Sequence, residues 1–184
     1  MLNNKSIKKH YAKQWTKSFN EVKDIEGPIF DFCPDFSVLE FPPFGSRTNY
    51  TYATCGLSTC NVSPQLEFHM FSSIRDQSIA NLLASVAYYH AENNGNLGLW
   101  HSINFGEPWQ GESLATYGLI SLPYLDGPKL ERGKFNSKEV SFYWIVPITE
   151  REKDYKKERG VEALEQIFEA SNFDYSNANR PSLI

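Results

Sequence analysis

At 184 residues and 21.1 kDa, 41% hydrophobic and 22% charged, the chain is long enough to fill one core and short for two. No apolar run approaches the roughly 18 residues that span a membrane, and the basic N-terminus lacks the apolar stretch of a secretory signal. The formal charge of −4 hides an asymmetry: from Asp24 to Pro128 two cations, Arg47 and Arg75, stand against eleven carboxylates, which leaves −9. Such a field disfavours nucleic acid and favours a basic partner, although it also serves simply to keep a surface solvated.

In chain order, Ile7, Tyr11, Trp15 and Phe19 recur every four residues among lysines. This predicts a helix over residues 4–19 docked through an aromatic stripe rather than lying on a membrane. An irregular acidic segment follows, punctuated by Pro28 and Pro34, then a short edge strand over 38–41 stopped by Pro42-Pro43. Tyr50–Cys55 alternates and is rich in Thr and Tyr, as strands are. Leu66, Phe68 and Met70 alternate with Glu67 and His69, the pattern of a half-buried strand.

The strongest helix signal comes next. Ile79, Leu82, Leu83, Val86, Ala87 and His90 share one face, Ser73 with Asp76 reads as a capping box, and Asn94-Gly95 supplies the stop. Residues 97–113 predict a short extended segment and then a glycine-containing surface loop. Residues 117–122 read as a strand, and residues 125–134 as a turn-rich connection. The unbroken apolar run Val140–Val146 is expected as a central strand ended by Pro147. Thr149 with Glu152 resembles a second capping box, Gly160 breaks that helix, and Val161, Leu164, Ile167 and Phe168 mark the last one. The core is expected to include Leu83, Val86, Phe142 and Trp144. With no repeat or linker in view, residues 1–184 form one domain.

Chemistry is sparse. Cys33, Cys55 and Cys60 are too few and odd in number for a disulfide framework, so a reduced, cytoplasmic protein is expected, its three sequons at Asn4, Asn49 and Asn61 being chance matches. Cys55 and Cys60 with His69 offer no second ligand pair, so packing outweighs zinc. Gly111-Glu-Ser113-Leu-Ala115 approaches a nucleophile elbow, but no histidine follows His101. No cofactor motif occurs, and no catalytic residue is assigned. Two features remain. The stretch from Trp100 to Trp109 gathers two tryptophans with His101, Asn104 and Glu107, either as partner-binding residues with Trp109 an aromatic anchor or with the tryptophans clamping the loop from the core. Arg180, alone on a polar tail, is expected to pin that tail to a carboxylate.

Six segments in order resemble the suppressor-of-fused (SUFU) domain family. They are TYATCGLS (51–58), LEFHMF (66–71), the helix IANLLASVAYYH (79–90), the G-x-x-H-x-I-N-F-G-x-P segment (98–108), VPITEREKDYKKERGVEAL (146–164) and NRPS (179–182). The resemblance runs from about residue 47 to 180, after a lead-in of helix and irregular chain over 1–46. Trp100 departs from it, standing before His101 where the family pattern has Gly next to His. It implies a single α+β domain with a mixed, mainly antiparallel sheet and packed amphipathic helices, and protein binding in place of catalysis. Animal members carry a second domain and sequester a transcription factor. Stand-alone bacterial members resemble immunity proteins, which implies a cognate toxin as partner, basic and of nuclease type for instance. The competing expectation is an enzyme with a site around His101, Asn104 and Glu107.

Overall fold

The computed structural model describes residues 1–184 and builds them around an eight-stranded mixed sheet. Its strands are β1 (Asn20–Glu21), β2 (Ser37–Phe41), β3 (Tyr50–Cys55), β4 (Leu66–Ser72), β5 (Ser102–Asn104), β6 (Ala115–Ser121), β7 (Arg132–Phe135) and β8 (Lys138–Thr149). The spatial order is β1-β2-β3-β4-β8-β6-β5, with β7 hairpinned onto the start of β8. All pairs are antiparallel except β4 with β8, where Leu66 lies opposite Ser141. The helices are α1 (Asn4–Gln14), α2 (Ile29–Phe32), α3 (Ser78–Glu92), α4 (Pro128–Glu131), α5 (Glu150–Arg159) and α6 (Val161–Ala170).

Helices cover both faces of the sheet. One face carries Val38, Tyr52, Leu66, Phe68, Met70 and Ile145 against α2 and α3. The other is shared: α1 seats Ile7 and Tyr11, with Trp15 just after it, on Leu39, Phe41 and Phe142, while α6 brings Leu164 to Phe71, Leu119 and Trp144. The single-domain α+β expectation holds, and Leu83, Val86, Phe142 and Trp144 are all buried.

This two-sided cover changes the reading of β4. Glu67 and His69 do point away from Leu66 and Phe68, but into a second core, and all seven residues are buried. Glu67 accepts bonds from the hydroxyls of Thr54 (2.6 Å) and Ser58 (2.6 Å) and the amides of Gly56 (3.1 Å) and Ser58 (3.0 Å). It thereby fixes the 3-10 turn Leu57–Thr59 to β4. His69 lies between the rings of Trp15 (5.4 Å) and Phe71 (5.3 Å). Burial, with Arg47 nearby, keeps it neutral down to a pKa of about 3.

Other boundaries move for identifiable reasons. Helix α1 stops at Gln14, and Phe19 returns separately to pack on Phe41 at 5.4 Å. Strand β2 is not the edge, because β1 pairs along it. Helix α3 starts at Ser78, not after Ser73; Asp76 Oδ1 instead accepts the Ser78 amide at 2.9 Å. Gly95 provides the stop at φ 83, where a Cβ would lie 1.8 Å from the Ser63 carbonyl oxygen. Pro147 does not end β8, which runs to Thr149. Beyond Trp144 the side of β8 away from β6 has no strand partner, so a residue without an N–H is accommodated. The predicted Thr149–Glu152 capping box is formed.

The expectation of three thiols is overturned. Cys33, just after α2, and Cys60, just after the 3-10 turn, are disulfide-bonded with Cα atoms 5.5 Å apart. Spacing along the chain carried no sign of this, because β2 and β3 have to pair before the two positions meet. Only Cys55 is a free thiol; it is buried, and burial raises its pKa. The cysteine count therefore no longer argues for a reducing compartment. No helix is long and apolar enough to cross a membrane.

Candidate partner-binding site

Strand β5 is one edge of the sheet, and α3 runs beside it. The inward stripe of α3 is buried, leaving Asn81, Leu82, Ser85, Tyr88 and Tyr89 on its outer side. Between those residues and the segment from Trp100 to Gln110 lie two adjoining clefts of about 660 and 360 Å³ that share Leu82, Ser85 and Phe105. Together they form one groove along the helix.

Its outer wall is held by backbone bonds. The Trp100 amide donates to Ile120 O (2.8 Å) and the Ile120 amide to His101 O (2.9 Å). Trp100 sits at φ 70, a left-handed conformation that a tryptophan rarely adopts and that turns the chain into β5. Lys156 of α5 reaches across to donate to Trp100 O (2.5 Å) and Ser102 Oγ (2.8 Å). Phe105 lies over Gly118, where a Cβ would come within 2.6 Å of its ring. At the far end, Gln110 donates to Ser72 Oγ (3.1 Å) and Asp76 Oδ2 (2.9 Å). Partial burial pushes the Asp76 carboxyl up, but the bonds from Gln110 and Ser78 outweigh it and hold it below the usual carboxylate range.

The five predicted residues divide cleanly. His101, Asn104 and Glu107 are exposed along the wall, and Trp100 is half-buried at the mouth. Trp109 is only 3% exposed and belongs to the α3-side core, lining the floor of the smaller cleft rather than projecting from it. Its amide donates to Ala115 O (3.1 Å) while neighbouring Gln110 is pinned, and together these draw the ring inward. His101, Asn104 and Glu107 make no hydrogen bond to one another; Asn104 Oδ1 accepts the Gly106 amide at 2.8 Å. Ser113 Oγ accepts the Ala115 amide at 3.1 Å, a turn contact. Lys156, Gln110 and the Tyr88–Tyr89 pair escaped the sequence reading. The helical phase could have found the tyrosines, since Tyr88 and Tyr89 fall outside the stripe of Ile79, Leu83, Val86, Ala87 and His90.

The charge imbalance acquires a geometry. Arg47 is ion-paired with Asp126, and Arg75 with Glu40 at 3.0 Å. Thus both cations of the acidic section are engaged, while Asp24, Glu26, Asp31, Asp35, Glu92, Glu107 and Glu112 stay exposed. Phe32 of α2, 45% exposed, meets Tyr88 edge-on at 5.8 Å, adding an aromatic patch beside Asp31 and Glu92.

A mixed sheet with helices on both faces and a helix-lined groove at one edge defines a single α+β domain built for contact along that edge. The model of the Suppressor of fused protein (SUFU) family matches residues 34–181, and the chain belongs to that family. The match begins upstream of residue 47, so it takes in β2 and the segment before it. The crystal structure of a SUFU homologue from Neisseria gonorrhoeae is similar at a TM-score of 0.86 and 28% identity, covering 98% of this chain and 96% of that one. A chain of the Sufu–Fu complex gives 0.74 at 14% identity, with 98% and 92% covered. Drosophila Suppressor of Fused gives 0.71 at 14% identity, covering 96% of this chain but 50% of that longer one. No curated protein sequence matches.

Proposed function

We propose that this chain is a non-catalytic protein-binding domain that acts as an immunity protein, neutralising a cognate basic toxin, of nuclease type for instance, by holding it. The observation that carries this is the groove between α3 and β5, with Glu107 exposed on its wall and its lining cation, Lys156, taken up by Trp100 O and Ser102 Oγ. A surface of that kind offers rings and polar groups for contact and a field that attracts a basic partner. The Sufu–Fu complex supports it at the level of the fold, since a chain of this architecture is there bound to another protein. Trp100, His101, Asn104 and Glu107 make the contact in this reading, with Trp109 supporting the wall from beneath.

The test is to recover the partner from the native host or the adjacent gene and measure association across salt concentrations. The association rate should fall steeply as salt rises, because screening acts over about 10 Å at 0.1 M. His101→Ala with Asn104→Ala should speed dissociation while leaving the melting temperature unchanged. Salt-independent association, or turnover of a small molecule by the isolated domain, would defeat the reading.

A further inference from the structure

The sheet face opposite the groove is incompletely covered by α6. A cleft of about 500 Å³ opens there, floored by Leu119 of β6 and Trp144 and Val146 of β8. Phe168 and Phe173, stacked at 4.2 Å, form one wall, and Tyr175 stands edge-on to Trp144 at 5.0 Å. The lip is apolar and open, with Tyr124 56% and Leu125 49% exposed.

Two independent observations point to an occupant. Trp144 is only 6% exposed and lines the cleft, yet its indole Nε1 has no hydrogen-bond partner. A buried donor without an acceptor is costly, so a shift of the ring that brings it to an acceptor seated in the cleft is favoured. The rim is also one-signed: Glu165 and Glu169 line it, Glu162 lies close by, and none of the three is in an ion pair. Partial burial first, and then the charges of Glu169 and Glu162, raise the Glu165 carboxyl above its usual range. The cations at hand are already used: Arg180 lies over the Phe173 ring at 4.7 Å but is held by Glu152 and the Pro147 carbonyl, and Arg47, close to Tyr175, is ion-paired with Asp126.

We propose that this cleft is a second docking surface, taking a basic, apolar segment of a protein partner. A large apolar side chain of that segment sits on Trp144 and Phe168. A flanking lysine or arginine meets Glu165 and Glu169, and a backbone carbonyl accepts the Trp144 indole N–H. The idea rests on the basic-partner reading for its biology but on separate residues for its chemistry.

The test titrates the ¹⁵N-labelled full chain with an acetylated hexapeptide of alternating lysine and leucine at low salt, with lysine–serine and glutamate–leucine peptides as controls. The expected result is a shift of the Trp144 indole N–H resonance by the first peptide alone, with the Trp15 and Trp100 indoles unmoved. Glu165→Gln combined with Glu169→Gln should weaken binding about tenfold. Leu125→Ser, at an exposed position that leaves the fold intact, should weaken it too. Equal binding of either control peptide, binding that leaves Trp144 unmoved, or no binding at millimolar peptide would overturn the proposal. A recovered partner that binds the Glu165→Gln/Glu169→Gln/Leu125→Ser variant at full affinity would also overturn it, while leaving the α3–β5 reading standing.

Discussion

Glu152 and Glu67 are both fully buried carboxylates, and the same desolvation ends differently in each. For Glu152 burial pushes the pKa up, but Arg180 grips it with two 2.7 Å bonds and the Thr149 and Leu183 amides add two more, so it lies below the usual range. For Glu67 burial dominates the four neutral donors around it, and its pKa is raised. The stability contributions therefore run in opposite senses with pH. Glu152 stabilises fully above the unfolded glutamate pKa of about 4.3 and loses this as pH falls through its lower folded value. Glu67 favours the fold most below that unfolded pKa, and its contribution is lost as pH rises through its higher folded value. Arg180→Ala should cost about 3–5 kcal/mol at pH 7 by stranding Glu152. The loss should shrink toward acid pH, as urea midpoints across pH would show. That Arg180 pins the tail was legible from its isolation in a polar stretch. Its partner was not, because Glu152 already had a complete role as the capping-box glutamate.

At the scale of elements, a glycine seats the groove wall on the sheet and a disulfide ties α2 to the turn after β3. Gly118 is there because β6 must pass under Phe105: a Cβ would come within 2.6 Å of both that ring and Ile145 Cγ2. Gly118→Ala should therefore cost about 1–3 kcal/mol and tilt the groove wall. Thermal melts would show the first effect, and altered dissociation of the recovered partner the second. The Cys33–Cys60 bond fastens the end of α2, with its exposed Phe32 and Asp31, to the end of the 3-10 turn Leu57–Thr59. Denatured protein that has met no reductant should titrate one thiol, Cys55, and three after reduction. Cys33→Ser should lower stability by about 2–4 kcal/mol. Most elements were readable because their signals are local: the α3 stripe, the β8 run and the Thr149–Glu152 cap. The disulfide was not, since it depends on strands pairing across the chain, and of the two readings offered for Trp109 the buried one needed the bonds to Ala115 and from Gln110 to be decided. The true start of α3 was hidden by a serine and an aspartate at capping-box spacing, whose aspartate is used in a different turn.

For the molecule as a whole, the difficulty lay in counting layers. Alternation along β4 correctly divided its side chains between two faces, but it could not say that α1 would bury the polar face as well. Sequence periodicity reports which residues share a side; it is silent on what arrives from elsewhere to cover that side. The acidic excess was visible in the composition, whereas the engagement of Arg47 and Arg75 required the fold. The parallel pairing of β4 with β8 has a consequence in time. Strands β1 to β4 meet their neighbours over short stretches of chain, but Leu66 waits for Ser141 before β4 gains its second partner. A growing chain can thus assemble the first four strands early, yet β4 keeps an open, apolar edge until β8 has been synthesised. Loop closure of that span should govern the rate of folding. A chain interrupted before β8 would carry this unpaired edge as its route to aggregation.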